Sequence, residues 1–174
     1  MTSIALPFLY SALFFWSFPG LVQFALFTLG VVIGVNLILV DRFLHAFYLY
    51  PEHNLSKLLQ EEWRKKSFRG IVHLLGHAES FQEQLMSRSV LFLLCFVFLT
   101  IFVLTSTGSV IGMGVILGIG LRYLIDFWRI SKNPDQFTRQ FLWQVKRPFT
   151  AQEIRMIVVG WVIAFTIVSL LVLF

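Results

Sequence analysis

The stretch VIGMGVILGIGLRYLIDFW, residues 110–128, has the composition of a membrane-spanning helix, yet an arginine and an aspartate stand near its end. At about 1.5 Å per residue, a helix of this length crosses about 30 Å of hydrocarbon. Arg122 and Asp126 are spaced i, i+4, which favours an ion pair in which Arg122 extends toward water. Three aromatic residues beside them are typical of an interfacial belt: Tyr123, Phe127 and Trp128.

The composition of the whole chain indicates a membrane protein. The 174 residues are 57% hydrophobic and 13% charged, with a mean hydropathy of +0.80. Soluble domains carry about 25% charged residues. Residues 1–40, 89–121 and 156–174 contain no Asp, Glu, Lys or Arg. Uncharged apolar runs of this length predict transmembrane helices.

The predicted fold class is all-α: a polytopic membrane helix bundle forming one integral membrane domain over residues 1–174. We expect about five membrane-embedded helices. The first is short for a full crossing and is compatible with a partly re-entrant segment. The expected spans cover about residues 4–18, 22–40, 89–105, 110–128 and 154–174.

The basic residues predict the orientation. All 14 Lys and Arg lie between Arg42 and Arg155, and apart from Arg122 they occupy segments 42–88 and 129–155. Five spans place both segments on one side, which the positive-inside rule assigns to the cytoplasm. We therefore expect a bacterial-type inner membrane protein with a cytoplasmic N-terminus and an outside C-terminus. The N-terminal region lacks the basic stretch and the cleavage site of a signal peptide.

The two cytoplasmic segments, residues 42–88 and 129–153, are predicted to hold interfacial helices. Leu55, Leu58, Leu59 and Trp63 recur at helical spacing among charged residues, which predicts an amphipathic helix with a face suited to anionic lipid headgroups. Residues 78–88 are expected to continue as a helix into the third span.

Two helix starts are predicted in the second cytoplasmic segment. Asn133-Pro134 indicates the N-cap and first residue of a short helix. Thr150 and Glu153 form a capping-box pattern that opens the fifth span.

Lipids are the expected partners, and nucleic acid is not expected, because topology already accounts for the basic residues. Gly108, Gly112, Gly114 and Gly118 form small-xxx-small patterns in the fourth span. We expect them to pack against the third span of the same chain. A homodimer through these glycines is the alternative.

Several polar residues are candidates for a site. Asp41, Arg88, Arg122 and Asp126 fall at the cytoplasmic ends of three predicted spans, where their side chains could converge, and His45 lies one turn after Asp41. His73 and His77 have the i, i+4 spacing of two metal ligands but lack the accompanying Glu of a zinc protease, and are interpreted as interfacial polar residues.

The single cysteine, Cys95, permits no intramolecular disulfide.

Three stretches resemble a bacterial inner-membrane family described as metal-dependent hydrolases, some of whose members are described as LexA-binding. VDRFLH (40–45) stands where that family has a D-x-D-H motif, SRSVLF (87–92) where it has T-H-S, and LGIGLRYLID (117–126) where a glycine-rich span ends in H-x-x-x-D. The resemblance covers residues 38–128. It implies a membrane-embedded site at the cytoplasmic face.

The chain departs from this family at two expected histidines, which are Arg88 and Arg122. Arginine is always protonated and cannot ligate a metal. Only Asp41, His45 and Asp126 keep ligand-capable chemistry. The resemblance therefore implies a site that exchanged its metal for Arg–Asp pairs, with no metal or other cofactor.

Two functions are weighed against each other. The first is a non-catalytic membrane protein in which the Arg/Asp cluster ties helix ends together beneath a basic, lipid-facing surface. The alternative is a hydrolase acting on a lipid or phosphate-bearing substrate at the cytoplasmic interface. There Arg88 and Arg122 would bind phosphate oxygens, and Asp41, His45 or Asp126 would act as general acid or base. A channel or transporter is disfavoured, because no ionisable residue falls at the middle of any predicted span.

Overall fold

A computed structural model describes residues 5–18, 20–44, 47, 54–67, 70, 74, 86–106, 108–145, 147 and 149–173. Within these ranges the chain forms seven α-helices and no strand, which confirms the all-α class. Two short 3-10 turns, Phe15–Ser17 and Met86–Arg88, accompany them. The helices are α1 Ala5–Ala12, α2 Leu21–Leu44, α3 Asn54–Arg64, α4 Val90–Ser106, α5 Val110–Ile130, α6 Pro134–Phe141 and α7 Ala151–Leu173.

Two stretches, Val110–Ile130 and Ala151–Val172, are long and apolar enough to cross a membrane. Helix α4, Val90–Ser106, is shorter, and α2 carries no charged residue from Leu21 to Val40. The expected first span is not one continuous helix, because α1 ends at Ala12. Its eight residues extend over about 12 Å, less than half of a bilayer core.

Helix α5 forms the centre of the bundle. Residues 116–123 are all buried, so every face of this part of the helix is covered. On one side, Leu117 and Leu121 pack in a cluster with Phe27 and Val31 of α2. On the other side, residues of α5 share a second cluster with α4, α6 and α7.

Glycines on both helices allow α2 and α5 to approach closely. A Cβ atom built on Gly30 would meet the Ile111 carbonyl and lie 3.1 Å from Gly114 Cα. A Cβ on Gly34 would lie 3.0 Å from Gly118 Cα. Because backbone lies opposite each glycine, no side chain can move aside to make room.

The expectation that the four glycines of the fourth span pack on the third is thus wrong for Gly114 and Gly118. They face α2, since Gly30 and Gly34 offer the matching surface there. Only Gly112 approaches α4, where an added Cβ would lie 3.4 Å from Val103. An added Cβ at Gly108 would meet nothing within 4 Å.

The two predicted helix starts are confirmed. Asn133 is the N-cap of α6 and Pro134 its first residue. At the start of α7, Glu153 Oε2 accepts a hydrogen bond from Thr150 N at 2.8 Å. Glu153 N donates to Thr150 Oγ1 at 3.3 Å, which completes the reciprocal capping box.

Helix α3 lies where helical spacing predicts it, with Leu59 buried and Lys57, Glu61 and Arg64 exposed. Leu58 and Trp63 are about half exposed. The remaining expected interfacial elements of segment 42–88 fall largely outside the described residues. All four histidines do so too: His45, His53, His73 and His77.

The glycine contacts predict opposite effects for two alanine substitutions. Gly114→Ala should lower the free energy of unfolding by about 1–3 kcal/mol, because its methyl group meets the α2 backbone. Gly160→Ala in α7 should leave stability unchanged or raise it, because an added Cβ meets nothing within 4 Å. Equilibrium unfolding in mixed detergent micelles, followed by circular dichroism, measures both. Equal stability of the two variants would contradict the close α2–α5 packing.

Candidate functional site

The predicted site residues that the structure describes converge at one end of the bundle. Asp41 belongs to the last turns of α2, and Arg88 ends the turn before α4. Arg122 and Asp126 lie on the last turns of α5, where Asp126 bonds to Arg88 across 38 positions of sequence. Contacts among Asp41, Ser87, Arg88, Arg122 and Asp126 thus bring these helix ends together. His45, the fifth candidate, lies outside the described residues.

Arg88 has the most enclosed side chain of the site, with 0% of its surface exposed. Its Nη1 donates to Gln140 Oε1 at 2.7 Å, and its Nη2 donates to Asp126 Oδ2 at 2.9 Å. The guanidinium carbon lies 5.4 Å from the centre of the Phe141 ring. Its Nε has no hydrogen-bond partner among the described residues. Carboxylate, amide and ring together replace the water that an exposed arginine would bind.

Asp126 lies between two guanidinium groups. Its Oδ1 is 3.4 Å from Arg122 Nη2, while its Oδ2 accepts from Arg88. The predicted i, i+4 pair is confirmed, but the expected extension of Arg122 into water is wrong, because only 8% of Arg122 is exposed. Arg122 stays inside the bundle because it pairs with the same buried carboxylate as Arg88. We call Arg88, Arg122, Asp126 and Gln140 the clasp.

Asp41 holds the turn that carries Arg88. Its Oδ2 accepts from Ser87 N at 2.9 Å and from Ser87 Oγ at 2.6 Å. From α5, the Tyr123 hydroxyl donates to the Ser87 carbonyl. Asp41 thus positions Arg88 through Ser87, and the turn is fixed from both α2 and α5.

This anchoring explains why residues 86–89 do not continue as a helix into α4, contrary to the expectation. The Ser87 amide is used by Asp41, and residues 86–88 form a 3-10 turn. Ser89 Oγ then accepts from Phe92 N at 3.1 Å, which is the geometry of an N-cap. A straight helix through this point would lose both contacts.

The chemical groups of the clasp are suited to joining helices and not to metal binding or catalysis. Guanidinium groups cannot ligate a metal or accept a proton, and both oxygens of Asp126 are engaged. Among the described residues there is no group of three or more His, Cys, Asp or Glu side chains that could hold a metal ion. An apolar cavity of about 210 Å³ lies elsewhere, between α4, α5 and α7, lined by residues that include Phe96, Ile116 and Trp161.

Sequence reasoning missed Gln140, Ser87 and the burial of Tyr123. Gln140 is 2% exposed and stands on α6 between the buried Phe137 and Phe141. A polar residue between apolar residues of one helix face could have indicated the buried role of Gln140. No sequence pattern indicated a role for Ser87.

Of the three residues expected in an aromatic belt, only Trp128 lies on the outer surface. Trp128 is 69% exposed, as a belt residue would be. Tyr123 and Phe127 are buried, since they face Phe141 and Trp161 in the bundle. Trp128 therefore lies on the outer face of α5, whereas Tyr123 and Phe127 lie on faces that pack within the bundle.

Comparison of the chain with protein-family models, with characterised proteins and with solved structures gives no match.

The burial of Asp126 predicts a large effect of removing its charge. Asp126→Asn keeps the side chain's shape but leaves Arg88 buried without its counter-ion and turns an amide donor toward an arginine. The free energy of unfolding should fall by about 3–5 kcal/mol. Equilibrium unfolding in mixed micelles measures the loss.

Glu153→Gln is the matched control. Glu153 pairs with Arg147 at 3.0 Å, but these side chains are 30% and 62% exposed. Water screens such a pair, and glutamine still completes the capping box, so the loss should be far smaller. Similar losses of unfolding free energy for the two variants would show that the buried ion pairs of the clasp stabilise the protein no more than an exposed pair does.

Proposed function

We propose that this chain is a non-catalytic integral membrane protein whose clasp ties helix ends together beneath a basic surface that contacts anionic lipids. The observation that carries the proposal is the closed state of Arg88. Its side chain has no exposed surface and bonds directly to Asp126 and Gln140. A buried charge already bonded within the protein serves to join elements, since a ligand would have to break those bonds first.

The outward surface supports placement in a membrane. Large apolar side chains point away from the bundle along both α4 and α7, for example Phe98 (72% exposed) and Leu171 (65% exposed). In water such continuous apolar surface would favour aggregation, whereas lipid solvates it. We propose that α2, α4, α5 and α7 cross the bilayer and that α1 enters only part of it. With four crossings the chain enters α2 from outside, in place of the expected cytoplasmic N-terminus.

Charge supports the proposed orientation and the lipid partner. The clasp end of the bundle joins segments 42–88 and 129–155, which hold every Lys and Arg except Arg122. By the positive-inside rule, this end faces the cytoplasm and the C-terminus lies outside. Exposed cations on these segments are placed to meet anionic headgroups: Lys57, Arg64, Lys65, Lys66, Arg129, Lys132, Arg139, Arg147 and Arg155.

The hydrolase alternative requires Arg88 and Arg122 to face an opening that admits phosphate oxygens. Both guanidinium groups instead contact Asp126. This arrangement supports the reading implied by the resemblance, in which Arg–Asp pairs stand where the family has metal ligands. Fixed positive charge neutralises the carboxylate but cannot supply an activated water.

An arginine-directed dicarbonyl reagent tests the closed clasp. After an alkaline wash that leaves only integral proteins in the membrane, the exposed Arg139, Arg147 and Arg155 should react with it. Arg88 and Arg122 should stay unmodified until the protein is unfolded. Peptide mass mapping measures each site.

Unfolding in detergent before labelling is the control, because it should make Arg88 and Arg122 reactive. If Arg88 reacts in the folded protein and phosphate-bearing lipid protects it, the phosphate-binding alternative replaces the structural one.

A further inference from the structure

The outward face of α2 carries a regular seam that nothing in the described chain covers. Its residues are spaced alternately by four and three, which is the heptad spacing of left-handed helix pairs. Each of them is exposed, while the opposite face of α2 buries Phe27 and Val31 against α5. We call these residues the α2 seam: Val22, Leu26, Leu29, Ile33, Asn36 and Val40.

Asn36 is the polar residue of this apolar seam. Its Nδ2 donates to the Val32 carbonyl at 2.8 Å. Within the described chain, its second N–H and its Oδ1 have no partner, although an amide offers two donors and two acceptor sites.

The threonines of the apolar helices differ from Asn36. Thr28, Thr100 and Thr166 each donate to the carbonyl four residues earlier, at 2.8–2.9 Å. That bond uses the only donor of a hydroxyl group. The same bond leaves one N–H and the carbonyl oxygen of the Asn36 amide unused.

The depth of Asn36 makes the unused amide unfavourable. Asn36 precedes Asp41 by five residues on the same helix, which places it about 7.5 Å from the clasp end along the axis. If the clasp end lies at the headgroups, as proposed above, the amide lies inside the hydrocarbon. Polar groups unsatisfied there are costly, and they drive association with polar groups on other helices.

We propose that the α2 seam binds a second copy of this chain and that Asn36 of each copy bonds to Asn36 of the other. An amide is both donor and acceptor, so it complements itself across a twofold axis. Two copies inserted in the same orientation place Asn36 at the same depth, and the heptad spacing favours a parallel crossing near +20°. This dimer rests on the membrane placement proposed above.

The α2 seam is a different surface from the glycines of α5. Gly114 and Gly118 face α2 of their own chain, so they do not serve a dimer. The α2 seam lies on the other side of the same helix, and dimerisation there leaves the α2–α5 packing intact.

Disulfide crosslinking of full-length protein in liposomes tests the dimer. The single native cysteine is first removed by Cys95→Ser. In that background Ile33→Cys should form a crosslinked dimer on oxidation, at a yield that falls as lipid is added in excess. The matched control is Ile163→Cys, since Ile163 is likewise exposed (55%) but lies on α7. It should stay monomeric.

Substitutions of Asn36 test the hydrogen bond itself. Asn36→Leu should weaken the dimerisation constant by about 5- to 30-fold, while Asn36→Gln should retain most of it. Energy transfer between labelled copies at varied lipid ratios measures the constant. If Asn36→Leu does not fold, the crosslinking of Ile33→Cys still decides the location of the interface.

Failure of the dimer and failure of the membrane placement give different results. Protein that resists alkaline extraction but stays monomeric at every lipid ratio would overturn the dimer alone. Crosslinking through Ile163→Cys, or a dimer unaffected by Asn36→Leu, would also overturn it. Protein released by the alkaline wash would overturn the membrane placement and the dimer together.

Discussion

A fully buried guanidinium group is the constraint on which this end of the molecule depends. Arg88 is enclosed, so its charge must be balanced by groups that other helices bring to it. Asp126 comes from α5, Gln140 from α6, and Ser87 is held by Asp41 from α2. Each of these helices must end at the right height and rotation for the contacts to form. The clasp thus sets the register of the helix ends.

The other constraint is the close approach of α2 and α5. Gly30 and Gly34 face Gly114 and Gly118, so the two backbones meet where side chains would keep them apart. In the membrane placement proposed above, no hydrophobic effect drives helices together, and such packing is a main source of their association. Because α5 also carries Arg122 and Asp126, the same helix joins the tightly packed middle of the bundle to its polar end.

Much of this architecture could be predicted from the sequence. Hydropathy located the helices, and the distribution of basic residues assigned Asp41, Arg88, Arg122 and Asp126 to one end of the bundle, but it did not predict their contacts. Local chemistry predicted the starts of α6 and α7. These features depend on period, charge and capping, which are local or additive along the chain.

The features that sequence reasoning missed depend on which helices face each other. The glycines of α5 were expected on the third span because it precedes them directly, but the matching glycines lie on α2. From its sequence position Tyr123 was interpreted as an interfacial residue. In the structure its ring instead faces Phe141 and Trp161 inside the bundle. Gln140 is a polar residue, and its burial is explained only by the hydrogen bond that it accepts from Arg88. Hydropathy also overestimated the first span, since α1 ends at Ala12.

The central claim is that the three charges of the clasp stabilise the protein only as a set. Unfolding free energies of Arg88→Met, Arg122→Met, Asp126→Leu and the triple variant test this claim most directly. Our account predicts that Asp126→Leu loses about 3–5 kcal/mol, because two buried arginines lose their counter-ion, and that the triple variant regains most of that loss. A triple variant whose loss equals the sum of the three single losses would contradict the account.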